Sequence, residues 1–161
     1  MADFSRNEAI EMAIQIEQQG YDFYSNAAAG LPEGQAKALF EWLAAEELRH
    51  IQVFQNFRDQ MDHLQLAGPY DWDEVGRYLK SLTEGRVFPS ADDAKKLAKK
   101  TENLAEIFRA AIQIEKENIL YFHELNDFVA EKDKPVIQKL IDEEKAHIRR
   151  LVDLKRQMGV V

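Results

Sequence analysis

Apolar residues recur every three or four positions along nearly the whole chain, which predicts helices rather than strands. In the first segment Ile10, Ala13, Ile14, Tyr21, Tyr24 and Ala28 share one stripe. The second carries Phe40, Leu43, Ala44, Ile51 and Phe54, and the third Phe108, Ala111, Ile112, Ile119 and Phe122. The fourth carries Ile137, Leu140, Ile141, Ile148 and Leu151. Turn and capping residues set the bounds. Ser5-Arg6-Asn7-Glu8 reads as a capping box that opens the first helix, and Gly30 and Pro32 stop it after about Ala29. A second helix is expected from near Glu33 to about Met61. Gly68-Pro69, Gly76, Gly85 and Pro89 then interrupt the pattern, leaving room for a short helix from about Asp73 to Leu82. Ser90-Ala91-Asp92-Asp93 caps a further segment that Thr101 interrupts or re-caps, and the third long helix ends near Val129. Pro135 opens the fourth, which runs to about Met158. The expected fold is all-α: one domain over residues 1–161, built as a four-helix bundle. Two antiparallel hairpins, 5–61 and 101–158, are joined by one long crossover, 62–100.

The chain also repeats itself. Ala13-Ile14-Gln15-Ile16-Glu17 returns as Ala111-Ile112-Gln113-Ile114-Glu115. Glu46-Glu47-Leu48-Arg49-His50-Ile51 returns as Glu143-Glu144-Lys145-Ala146-His147-Ile148. The two hairpins are therefore expected to be copies related by a pseudo-two-fold axis.

This pattern puts acids on the wrong face. At about 100° per residue, Glu17, Glu47, Glu115 and Glu144 fall at the centres of the four apolar stripes. His50 and His147 follow their Glu by three residues and point the same way. Burying even one uncompensated ion costs several kcal/mol, and no Lys or Arg falls on these faces at that level. Two divalent cations would cancel four carboxylates. Oxygen and imidazole donors suit two Fe ions, with Mn or Zn possible. One Glu-x-x-His in an acidic helix means little. Two at matching places in a repeat, each centred on an apolar stripe, favour a metal site over a structural polar layer.

Composition narrows the chemistry further. The 161 residues contain no Cys, which removes Fe–S clusters, zinc ribbons, rubredoxin-type centres and thiol catalysis. The net charge of −8 argues against nucleic acid as a partner. No stretch approaches the roughly 18 apolar residues of a membrane span, and no signal-peptide pattern opens the chain. A cytoplasmic protein is the expectation. Tyr24 lies two turns beyond Glu17 on the same face, where it could hydrogen-bond a ligand, relay an electron or simply pack. Its counterpart in the repeat is Phe122. Tyr21 reads as packing, His63 as a surface residue and His123 as without a role, while Glu46 and Glu143 point about 100° away from the ligand faces, which suits a second-layer or surface place rather than ligation. Arg58 and Arg109 are candidates for second-layer pairs or interface contacts, and Lys95, Lys96, Lys99 and Lys100 for a solvated face. Trp42, Phe57, Trp72 and Tyr78 are large residues left over for the crossover or an interface.

Together Glu17, Glu47-x-x-His50, Glu115 and Glu144-x-x-His147 resemble the di-iron signature of the rubrerythrin branch of the ferritin-like superfamily. The resemblance covers nearly the whole chain, including hairpin order and crossover. It implies that Glu17 and Glu115 are terminal carboxylates, one per iron, that Glu47 and Glu144 bridge, and that His50 and His147 supply nitrogen. It also implies H2O2 or O2 as substrate and a homodimer as a common assembly. Two departures stand out. Rubrerythrins proper carry a Cys-ligated iron that feeds electrons to the pair, so an external electron donor is expected here. They also typically hold an additional Glu one turn after the third-helix ligand, where this chain has Asn118. The expected activity is an oxidoreductase that reduces peroxide or oxygen. An iron-binding ferroxidase and a non-redox metal-holding bundle are the alternatives.

Overall fold

The computed structural model describes residues 6–61, 70–84, 91–99 and 103–161. Among them lie six α-helices and no strand. They are α1 (Arg6–Gly30), α2 (Gln35–Met61), α3 (Trp72–Thr83), α4 (Ala91–Ala98), α5 (Leu104–Phe128) and α6 (Lys134–Gln157). The expected boundaries agree to within a few residues where they fall on described positions. The proposed caps at Ser5 and Ser90, the breaks at Gly68-Pro69, Gly85, Pro89 and Thr101, and His63 and Lys100 lie outside the described residues.

Local chemistry explains the starts and stops. Asp71 caps α3, its side chain accepting from the backbone N–H groups of Asp73 and Glu74 at 3.1 and 3.2 Å. Pro135 sits in the first turn of α6, where its missing N–H costs nothing. The short links 31–34 and 129–133 make α1 and α2, and α5 and α6, antiparallel neighbours, and these are the most extensively packed long-helix pairs. Residues between the hairpins supply α3 and α4. Ala94 and Ala98 of α4 pack beside the C-terminal end of α1, and Val75 and Leu79 of α3 bury at the other end of the bundle.

The core is divided. One apolar cluster contains Phe23, Tyr24, Phe40, Leu43, Ile107, Phe108 and Leu151. The other contains Ile10, Ala13, Phe54, Phe57, Tyr121, Phe122, Leu140 and Ile141. Along each long helix the gap between the two clusters is occupied by Glu17, by Glu47 and His50, by Glu115, or by Glu144 and His147. Ile14, Ile112, Ile119 and Ile148, counted with the stripes, are only partly buried, while Ile16 and Ile114 go fully inside. A helix face that packs on two neighbours is wider than a single stripe.

Candidate metal centre

The four long helices bring all six side chains to one level, and all six are at most 1% exposed. His50 Nδ1 stands 2.9 Å from Glu144 Oε1, 3.4 Å from Glu17 Oε2 and 3.9 Å from Glu47 Oε2. His147 Nδ1 stands 2.9 Å from Glu144 Oε2 and 3.5 Å from Glu115 Oε2. Glu144 thus offers one oxygen to each histidine. The two imidazoles lie nearly parallel, 5.6 Å apart. Two groups of four have donor atoms within 4.8 Å of one another, Glu17, Glu47, His50 and Glu144, and Glu47, Glu115, Glu144 and His147, and Glu46, His50 and His147 form a third. Glu47 and Glu144 belong to both groups of four.

These groups fit a pair of cations. Both oxygens of Glu47 and of Glu144, one oxygen of Glu115 and both histidine Nδ1 atoms are buried and make no hydrogen bond among the described residues. Buried polar atoms are ordinarily satisfied; here carboxylate oxygens and imidazole nitrogens converge without well-aligned hydrogen bonds, as metal-ligand positions do. The electrostatics agree. Burial pushes the Glu47 carboxyl well up, and the neighbouring Glu17 and Glu144 push it further. Burial and Glu144 raise Glu115 to about 8. For Glu144 burial also acts upward, but contacts from Glu115, His147 and His50 outweigh it and hold the carboxyl low. Burial would lower both imidazoles, yet the facing carboxylates raise His50 to about 9 and His147 to about 10. Burial and mutual repulsion thus favour protons on Glu47 and Glu115 where no cation offsets the charge of the layer.

The family model for rubrerythrin matches residues 8–155. The chain belongs to the rubrerythrin family. A solved structure named as that of a ferritin-like diiron-carboxylate protein from Thermotoga maritima superposes with a TM-score of 0.72 at 27% identity, covering 98% of this chain and 99% of that one. The fold is thus ferritin-like. No curated protein matches the chain.

In this member of the rubrerythrin family the layer around the six residues is not symmetric. Tyr24 is fully buried and donates its hydroxyl to Glu115 Oε1 at 2.5 Å, with the Ala111 carbonyl 3.3 Å away. Asn118 is fully buried beside the cluster, and its counterpart in the repeat is Gly20. A Cβ at Gly20 would meet the Glu47 carboxylate at 3.1–3.4 Å, so the glycine lets that carboxylate approach α1. Gly20 escaped notice in the sequence, although a glycine in the middle of a helix is itself a signal, because it costs about 1 kcal/mol relative to Ala.

Arg49 also escaped. It sits just outside the level where no cation was expected, its guanidinium joining Glu46 at 2.9 Å and Glu143 at 2.8 Å. Glu46 and Glu143 are therefore bridged across α2 and α6. Arg58 pairs with Glu11 at 2.7 Å, while Arg109 and His123 are exposed. Tyr21 is half-buried against the core, and Lys95, Lys96 and Lys99 are exposed. Trp42 meets the His147 ring edge-on at 5.2 Å, Phe57 is core, Trp72 packs on Tyr70 and Phe128, and Tyr78 is exposed.

Proposed function

We propose that this protein is a di-iron carboxylate oxidoreductase that reduces peroxide or oxygen with electrons from a separate donor. The observation that carries the reading is the membership of Glu47 and Glu144 in both donor groups, which is what two bridged cations require. Glu17 and His50 would complete one metal position, and Glu115 and His147 the other. Two ferrous ions held there would supply one electron each, the two that convert H2O2 and two protons into two waters.

The chain's own residues would do the rest. The four carboxylates offset the cations' charge and, as hard oxygen donors, favour the oxidised state. Phe40, Phe54, Phe108 and Phe122, all fully buried, exclude water above and below the layer. Tyr24 fixes Glu115 through its hydroxyl. The thiol-free sequence has no cysteine-bound iron of its own, hence the external donor. A homodimeric, cytoplasmic protein belongs to the same reading. No described helix is long and apolar enough to cross a membrane, and the half-exposed Leu48 and Leu120 offer apolar surface for association.

The test is anaerobic loading with ferrous iron, addition of H2O2, and measurement of ferric absorption and of turnover with a reductant. Oxidation no faster than that of free ferrous iron overturns the proposal. Asn118, standing where an additional Glu is typical, favours a second reading as an iron-binding ferroxidase. Iron uptake well beyond two ions per chain would select that one.

A further inference from the structure

Aromatic rings gather where the start of α3 meets the end of α5, about 20 Å along α5 from Glu115. Tyr70, Trp72 and Phe128 pack edge to face, their ring centres 5.3–5.9 Å apart. Tyr78, further along α3, gives its hydroxyl to Glu124. Tyr70 and Tyr78 are nonetheless 44% and 43% exposed. Beside them runs an open groove of about 420 Å³, lined by Tyr70, Tyr78, Phe128, Val75, Asp71 and Glu74. No Lys or Arg is among these lining residues. The nearby Lys134 pairs with Glu131 at 2.6 Å instead.

The groove is negative as well as aromatic. Asp71 caps α3 through Oδ1 alone, and Oδ2 takes no part in the cap. With Asp73 and Glu74 it puts three carboxylates at the first turn of α3, against about half a positive charge from the helix dipole. An anion is therefore repelled. A hard metal ion wants convergent oxygen donors, and among the described residues no group of three such donors forms here. An alkylated ammonium suits both features, because ring faces attract a cation electrostatically and its methyl groups need no hydrogen-bond acceptors. The volume is in the range of small-ligand sites. We infer that this groove binds a small alkylammonium cation, held by the rings of Tyr70, Tyr78 and Phe128 and by the charge of Asp71 and Glu74. The site stands apart from the metal centre and does not depend on it.

Choline is the probe, added to the full-length chain. Neohexyl alcohol, which has carbon in place of the charged nitrogen, is the comparison. Saturating the protein's aromatic protons should transfer intensity to the N-methyl protons of choline in the proton spectrum. The expected dissociation constant is on the order of 1 mM, with neohexyl alcohol at least about tenfold weaker. Tyr78→Leu should weaken choline about tenfold and Glu74→Gln about three- to tenfold, and added salt should weaken it as well. Both side chains are exposed, so each variant should melt as the wild type does. The inference is overturned if choline and neohexyl alcohol bind alike, if both variants keep the wild-type constant, or if no transfer is seen at about 10 mM choline. Iron loading does not enter this experiment, so its failure leaves the di-iron reading untouched, and failure of that reading leaves this one standing.

Discussion

Tyr24 donates its hydroxyl into the carboxylate layer from the apolar cluster beside it, and removing it leaves a buried carboxylate oxygen of Glu115 without this donor. An unmet buried acceptor costs about 1–3 kcal/mol. Tyr24→Phe should therefore lower the urea midpoint of the metal-free protein by an equivalent amount; an unchanged midpoint would mean that packing alone holds the ring. Gly20 works in the opposite sense. Ala is the better helix former by about 1 kcal/mol, but its Cβ crowds the Glu47 carboxylate. Gly20→Ala should leave the metal-free protein as stable as wild type or slightly more so, while metal affinity falls roughly tenfold or more. Calorimetric titration with Co2+ beside a urea melt separates the two effects. At this scale the six convergent residues were legible in the sequence, because a Glu in the middle of an apolar stripe contradicts its surroundings. Glu143 was legible as a second-layer or surface residue, but its pairing with Arg49 was not, because the two meet only when α2 packs against α6.

At the scale of elements, helix lengths and turns follow from local chemistry, but their docking does not. Gly30 closes α1 where α4 passes, and a Cβ there would collide with the Lys95 carbonyl and crowd Ala98. A backbone atom cannot swing aside as a side-chain tip can. Gly30→Ala should cost about 1–3 kcal/mol and raise hydrogen exchange in α4 more than in α5 or α6. Equal exchange across the three helices would count against this close packing. The sequence showed Gly30 only as a stop signal; its second role depends on where residues 91–98 return against α1.

For the whole molecule, the buried layer makes stability depend on pH and on metal. In the metal-free protein Glu115 is raised to about 8, His50 to about 9 and His147 to about 10. Each folded value exceeds the ordinary one of 4.5 for Glu or 6.5 for His. Each group's contribution is therefore fully present below its unfolded value and is lost as pH rises through the folded one. The melting temperature of the metal-free protein should fall from about pH 5, through Glu115 first, to about pH 10. Cations that displace these protons should flatten that profile and add about 4 kcal/mol of stability at a thousandfold excess over the dissociation constant. By the same linkage, metal affinity should rise with pH over this range, and binding should release protons. Titrations in buffers of different ionisation enthalpy measure that release; none detected would mean the layer is not protonated as described.

The sequence by itself determined the helices, the two-fold repeat and the misplaced acids, because each is a matter of spacing along one chain. Only the tertiary structure decided that Tyr24 reaches across to Glu115 and that Arg49 joins Glu46 to Glu143 across α2 and α6. Those relations join residues some ninety positions apart, on different helices. Periodicity gives the face on which a side chain lies, but helix packing alone sets the side chain it meets.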